Sequence, residues 1–94
     1  MNNDEMSQTA VLIAKICDDI RDLLLRKNQA YGNSVLEPIR VFSKASSCEQ
    51  ILVRIDDKLN RIKQGANILS EDEDVLQDLI GYLILLKVWK ESTE

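Results

Sequence analysis

The last third of the chain contains a helical pattern that is apolar on most of its sides. It extends from Val75 to Val88 and includes the run LIGYLILL at residues 79–86. A helix that is hydrophobic all round must be buried all round, and two partner helices in one small domain would leave part of it uncovered. The sequence therefore predicts a homo-oligomer with helix 75–88 in the interface. Inside a helix, glycine at position 81 lowers the stability by about 1 kcal/mol relative to alanine. Its presence there indicates that another helix crosses close to it.

Two further helices precede this segment. The first has apolar residues spaced by three and four, which predicts an amphipathic helix with a buried stripe; its members are Ile13, Ile16, Cys17, Ile20 and Leu24. The second begins at a capping box, either Ser46 with Glu49 or Ser47 with Gln50. Its stripe consists of Ile51 or Leu52, then Ile55, Leu59 and Ile62. Gly65 supplies its C-terminal stop.

The third helix has its own start signal, since Ser70 and Glu73 form another capping box and the EDED run places negative charge at the positive end of the helix dipole. The expected fold is therefore all-α and a single domain over residues 1–94. It is an oligomeric antiparallel bundle whose three main helices span about residues 7–28, 47–64 and 70–91.

An eighteen-residue connection, residues 29–46, separates the first two helices. Connections longer than about 12–15 residues are uncommon in compact domains unless they are functional or disordered. This one is too apolar for disorder, because it contains Val35, Leu36, Ile39, Val41 and Phe42. We expect it to pack, with a short helical turn after Pro38.

Composition narrows the classes of function. The net charge of −4 gives no general attraction for long nucleic acid or for anionic membranes. The absence of histidine excludes histidine-based catalysis and histidine metal sites. The apolar run 79–86 is far shorter than the roughly 20 residues of a membrane span. Cys17 and Cys48 have no metal-type spacing, and the acidic, polar N-terminus does not resemble a signal peptide, so we expect reduced thiols in a cytoplasmic protein.

Helix two contains candidate phosphate-binding residues. Arg54, Lys58 and Arg61 are spaced by three and four and share one face with Asp57. That face is either an ordinary solvated surface with i,i+4 ion pairs or a basic surface for phosphate.

Asp78 stands directly before the apolar run of helix three. A carboxylate at the edge of a core needs a partner or a metal. Lys58, Arg54 or Arg61 would serve as the partner, whereas Asp57 together with Asp78 would hold Mg²⁺.

The stretch KNQAYGNSVLEP, residues 27–38, leads from helix one into the long connection. Tyr31 is suited to stack on a base, and Asn28 or Asn33 to read its edge. The alternative is a turn at Gly32–Asn33 in which Tyr31 only packs.

Three blocks of the sequence carry a family resemblance. They are K-N-x-x-Y-G-N-S at residues 27–34, R-I-x-D-K-L-x-R-I at 54–62, and D-x-x-x-D-L-I-G-Y at 74–82. Over residues 22–88 the chain resembles phage and bacterial proteins of the nucleotide modification associated domain family, which are similar to MazG-type all-α NTP pyrophosphohydrolases. The resemblance marks ten positions: Lys27, Asn28, Tyr31, Gly32, Arg54, Asp57, Lys58, Arg61, Asp78 and Tyr82.

The acidic residues depart from the MazG pattern. That chemistry implies E-x-x-E on one helix and E-x-x-D on a later one, holding Mg²⁺ that bridges phosphates and activates a water. Here Asp57 is followed by Lys58, and the residue three before Asp78 is Val75, with Asp74 one position earlier. These positions contain few acidic residues and several basic residues. This balance favours binding an anionic ligand over hydrolysing it.

Three functions follow as hypotheses. The first is a phage protein that binds and sequesters a nucleotide or cyclic oligonucleotide signal without a cofactor, similar in size and helical build to phage sponges that act against CBASS defence. Its ligand-binding residues would be Lys27, Asn28, Tyr31, Gly32, Arg54, Lys58, Arg61 and Tyr82. The second is a Mg²⁺-dependent NTP pyrophosphohydrolase with Asp57, Asp74 and Asp78 as metal ligands. The third is an interaction module without a small ligand.

Overall fold

The computed structural model describes residues 3–69 and 74–92, with side chains from residue 7 onward. These residues form three α-helices and no strand: α1 (Asn3–Ala30), α2 (Ser47–Lys63) and α3 (Val75–Ser92). The predicted all-α class is confirmed. The predicted bounds of α2 agree to within one residue, whereas α1 extends beyond both of its predicted ends.

Local hydrogen bonds explain both ends of α2. The Ser46 hydroxyl accepts a hydrogen bond from the Glu49 amide at 3.1 Å, so the first of the two predicted capping pairs is the one used. At the other end Gly65 has a φ of +104°, and the Ala66 amide donates to the Arg61 carbonyl at 2.9 Å. This is the Schellman arrangement, and it confirms the predicted glycine stop.

The start of α3 corrects the sequence prediction. The Asp74 carboxylate accepts a hydrogen bond from the Gln77 amide at 2.8 Å, which makes Asp74 the N-cap. The helix therefore begins at Val75 rather than near residue 70. The predicted capping box of Ser70 and Glu73 lies outside the described residues.

The main packing contact joins α2 and α3. Ile51 and Val75 are fully buried, with 1% and 0% of their surface exposed. Lys58, in the second half of α2, forms an ion pair with Asp78, in the first turn of α3, so this contact joins the two helices. Ile51 rather than Leu52 is the buried start of the α2 stripe, but Leu59 is 51% exposed, so the predicted stripe is only partly covered.

The C-terminal half of α1 crosses α3. Ile20 is buried, and a Cβ placed on Gly81 would lie 3.3 Å from Cδ2 of Leu24. The predicted close crossing at Gly81 is therefore confirmed. The predicted stripe of α1 is buried only from this point onward, because Ile13 and Ile16 remain 59% and 53% exposed.

The connection after α1 differs from its prediction. Gly32 and Asn33 both have positive φ, and residues 31–36 form successive turns before Pro38 rather than after it. Residues 39–46 contain no helix. Val35 and Leu36 are half-buried. The predicted packing is wrong for three other apolar residues of the connection, which are 85%, 67% and 97% exposed: Ile39, Val41 and Phe42.

None of the three helices, as far as the structure describes them, is both long and apolar enough to cross a membrane.

Candidate functional site

A cavity of about 340 Å³ lies between α1 and α3, with the turn after α1 and one residue of α2 at its edge. Its volume is at the lower end of the roughly 300–1,000 Å³ that is usual for small-molecule sites. The apolar lining consists of Ile20, Leu23, Leu24, Val35, Gly81 and Leu85. The polar lining consists of Lys27, Asn28, Tyr31, Ser34, Arg54, Gln77, Asp78 and Tyr82.

Two cations reach this cavity from different helices. Lys27 lies in the last turn of α1, and Arg54 lies on α2. Within the described part of the chain, neither side chain forms an ion pair. Both charges are therefore available to an anionic ligand. The planar guanidinium group of Arg54 is suited to bind two oxygen atoms at once, whereas the ammonium group of Lys27 acts as a single point charge.

Two tyrosines also line the cavity. Tyr31 is 68% exposed and lies at the end of α1, whereas Tyr82 is half-buried on α3. The backbone explains the position of Tyr31, because Gly32, with a φ of +61°, ends the helix directly after it. An exposed ring beside an apolar cavity offers a free face for stacking.

Asp78 places a carboxylate in the cavity, and Lys58 pairs with it. Nζ of Lys58 lies 2.9 Å from Oδ2 of Asp78, and the two side chains are 15% and 31% exposed. Lys58 does not line the cavity itself. It therefore acts on the site through Asp78, whose negative charge it offsets. Of the three partners that the sequence left open for Asp78, the structure selects Lys58.

Three of the predicted ligand-binding residues do not line the cavity: Gly32, Lys58 and Arg61. Gly32 terminates α1, and Arg61 lies in the last turn of α2. Sequence reasoning missed Gln77 and Leu85, although a signal for them was present. Together with Gly81 they are spaced by four, which places all three on one face of α3.

The proposed magnesium ligands do not converge in this fold. Asp57 is exposed on α2 and outside the cavity, Asp74 caps α3, and Asp78 is paired with Lys58. Among residues 3–69 and 74–92, no three acidic or cysteine side chains lie close enough together to hold a metal ion. These residues do not fit a Mg²⁺ site as they are arranged, and we derive no step through that metal.

Comparison of the chain with protein-family models, with curated proteins and with solved structures found no match. The family resemblance described above stays a prediction from the three sequence blocks.

The ion pair beneath the cavity gives a test of the fold. We expect Lys58→Met to lower the free energy of unfolding by about 1–2 kcal/mol, because it leaves the half-buried Asp78 carboxylate without its partner. Urea denaturation measures the change. The control is Lys15→Met, which breaks an ion pair with Asp19 whose side chains are 68% and 61% exposed. The control variant should have the same free energy of unfolding as the natural protein. If both variants lose the same amount of this free energy, the Lys58–Asp78 ion pair is not more stabilising than an exposed pair, which contradicts the prediction.

Proposed function

We propose that the protein binds a nucleotide in the cavity between α1 and α3 and holds it without turnover. The observation that carries this proposal is the lining of the cavity. Six of the residues that the family resemblance marks contribute to it: Lys27, Asn28, Tyr31, Arg54, Asp78 and Tyr82. They come from three helices and the turn after α1, and they supply the charged, aromatic and amide groups that a nucleotide requires.

Lys27 and Arg54 are the proposed phosphate contacts. Hydrogen bonds between cations and phosphate oxygens are shorter and stronger than neutral ones, and an arginine binds two oxygens at once. The net charge of −4 argues against general attraction for polyanions. Recognition would therefore depend on these two local cations rather than on the field of the whole protein.

Tyr31 and Asn28 are the proposed base contacts. Stacking of a base on an aromatic side chain tolerates any base, whereas an amide offers both a donor and an acceptor to its edge. A cavity of about 340 Å³ suits one nucleotide unit better than a whole cyclic oligonucleotide. A cyclic ligand would thus extend beyond one cavity, toward a site on another subunit.

The acidic groups favour retention over hydrolysis. Asp78 forms an ion pair with Lys58, and Asp74 caps α3, so neither carboxylate is positioned as a metal ligand. In the phage setting that the sequence resemblance implies, such a protein would sequester a cyclic nucleotide signal of host defence in the host cytoplasm. The pyrophosphohydrolase remains the alternative, and it requires Asp57, Asp74 and Asp78 to move together around Mg²⁺.

We further propose that the protein is a homo-oligomer with α3 in the interface. Leu83 and Val88 on α3 are 51% and 40% exposed, although α3 is apolar on most sides. Exposed apolar side chains along one helix are typical of a surface that another chain covers.

Equilibrium dialysis tests the binding proposal. The protein is incubated separately with NTPs, dNTPs and cyclic dinucleotides, in buffers with and without Mg²⁺. We expect at least one ligand to bind with a dissociation constant in the micromolar range or below and to raise the melting temperature. If no ligand in the panel binds, the proposal is wrong and the interaction module becomes the better account.

Gly81 offers a way to narrow the cavity without weakening the helix. In Gly81→Ala the new methyl group meets Leu24 at 3.3 Å, so the leucine side chain must shift, and both residues line the cavity. We expect the free energy of unfolding to change by less than about 1 kcal/mol, because the better helix propensity of alanine offsets the repacking. Nucleotide affinity, measured by dialysis, should fall several-fold. Unchanged affinity would place the ligand elsewhere.

A further inference from the structure

The lining of the cavity contains a carboxylate, that of Asp78, which contacts with phosphate do not explain. Its negative charge repels phosphate groups, so this side chain must face another part of a bound nucleotide. Lys58 offsets part of the charge and fixes one of the two oxygens, since its Nζ lies 2.9 Å from Oδ2. Lys58 itself does not line the cavity, so the ion pair leaves the carboxylate open to a ligand there.

The second carboxylate oxygen, Oδ1 of Asp78, is the atom that remains for this ligand. Among the described residues it has no hydrogen-bond partner. The side chain is 31% exposed, so the oxygen can be reached from the cavity. An ionised carboxylate accepts hydrogen bonds and donates none. The ligand must therefore present a donor to Asp78.

The nucleotide bases differ in what they present to a carboxylate. Guanine has two adjacent donors, the ring N1–H and the 2-amino group. The amino group of adenine or cytosine stands beside a ring nitrogen that is an acceptor, and N3–H of uracil or thymine stands between two carbonyl oxygens. A carboxylate is repelled by such neighbouring acceptors, because all of them carry negative partial charge. Guanine is therefore the base whose edge matches a group that only accepts.

We propose that the ligand is a guanine nucleotide and that Asp78 accepts hydrogen bonds from N1–H and the 2-amino group of its base. This inference rests on the proposed function, since it assigns the base of the nucleotide in the same cavity. Oδ1 accepts from one donor, and Oδ2, which retains a lone pair beside Lys58, accepts from the other. The amides of Asn28 and Gln77 line the same cavity and can donate to O6. Stacking on Tyr31 tolerates any base, so the choice of base depends on Asp78.

The ribose hydroxyls are the alternative donors for Asp78. A hydroxyl both donates and accepts, so a neutral amide would bind it without repelling the phosphates. The property that distinguishes a carboxylate from an amide is that it only accepts, and the guanine edge is the part of a nucleotide that requires this property. The observations therefore favour the base over the ribose.

Competition binding to the natural protein, without Mg²⁺, tests the assignment with no substitution. A hydrogen bond to a charged group changes affinity about tenfold or more. We expect GTP to bind about 100-fold more tightly than ATP, and about tenfold more tightly than ITP, which lacks only the 2-amino group. We expect dGTP to bind within a few-fold of GTP. Cyclic di-GMP and cyclic di-AMP are compared in the same way, since the proposed function includes cyclic ligands, and the guanine member should again bind more tightly.

The outcomes of this panel separate the inference from the function on which it rests. If guanine and adenine ligands bind equally, the protein binds nucleotides but the inference is wrong. If GTP binds much more tightly than dGTP and no more tightly than ATP, Asp78 contacts the ribose, which also overturns the inference. If no ligand in the panel binds, both the proposed function and the inference are wrong.

The variant Asp78→Asn gives a change of specificity that a loss of folding cannot imitate. Its amide offers one acceptor and one donor, which match N1–H and the carbonyl that replaces the 2-amino group in XTP. We expect the ratio of GTP to XTP affinity to fall from about ten in the natural protein to below one. The ratio is used because removal of a negative charge tightens the binding of every triphosphate.

The matched control is Asp56→Asn, which removes the same charge from an exposed position of α2 outside the cavity. Its ratio of GTP to XTP affinity should equal that of the natural protein. An unchanged ratio in Asp78→Asn, or the same change in both variants, would overturn the assignment of Asp78 to the base.

Discussion

Replacing Lys27 and Arg54 together by alanine is expected to weaken nucleotide binding by about 100-fold or more. These two residues are the cations that line the cavity, and within the described chain neither is engaged in an ion pair. A hydrogen bond to a charged group contributes about 1.5–3 kcal/mol, and every 1.4 kcal/mol is a factor of about ten in affinity. Both residues are exposed, so the fold should be unaffected.

The control for this pair is Arg26→Ala/Arg40→Ala, which removes the same total charge. Arg26 neighbours Lys27 but lies outside the cavity, and Arg40 is exposed in the connection. Isothermal titration at two salt concentrations compares the variants. The control should retain its affinity. If both double variants lose nucleotide affinity equally, the electrostatic attraction comes from the overall charge of the protein rather than from Lys27 and Arg54. The cavity would then not be the phosphate site.

Tyr31→Ala is expected to weaken binding roughly 10- to 100-fold, because stacking contributes about 1–3 kcal/mol per base on alanine substitution. The side chain is 68% exposed and makes little contribution to the core, so the loss should appear in affinity and not in the melting temperature of the free protein. The same titration measures it.

Tyr31→Phe is the matched variant for stacking, since it keeps the ring and removes only the hydroxyl. We expect it to bind within a few-fold of the natural protein. If Tyr31→Ala binds as tightly as the natural protein, Tyr31 does not contact the base, and the stretch at residues 27–38 serves only to end α1 and begin the connection.

Local signals in the sequence predicted most of the secondary structure. The hydroxyl of Ser46 and the left-handed Gly65 fix the ends of α2 through bonds within a few residues, so their effects can be predicted without tertiary contacts. The start of α3 was misplaced because several adjacent residues have capping side chains. The hydrogen bond from the Gln77 amide to the Asp74 carboxylate identifies Asp74 as the residue that caps the helix.

Tertiary features were harder to predict. Periodicity identified the apolar stripe of α1, but it carries no information on how far α3 extends beside it, so the exposure of Ile13 and Ile16 was not foreseen. Of the candidate site, the sequence predicted the cations and the tyrosines through the family blocks. It did not decide which of Lys58, Arg54 and Arg61 would pair with Asp78, or predict that Arg61 would lie outside the cavity, because both depend on how α2 is rotated against α3.

The proposed binding site and the proposed homo-oligomer concern different exposed features of the protein. Lys27, Arg54 and the exposed ring of Tyr31 line the cavity, whereas Leu83 and Val88 are exposed on α3. The lining of the cavity contains apolar residues of both α1 and α3, so the position of α1 affects the ligand site. Variants of α1 are therefore best assayed for binding and for assembly separately.

Recovery of the ligand is the most direct measurement of the central claim, which is binding without turnover. The protein is saturated with a bound nucleotide in the presence of Mg²⁺, the complex is separated from free ligand, and the protein is then denatured by heat. Chromatography of the released material identifies the products. We predict that the nucleotide is recovered intact and in proportion to the protein. Release of pyrophosphate that depends on Mg²⁺ would contradict the account and establish hydrolysis instead.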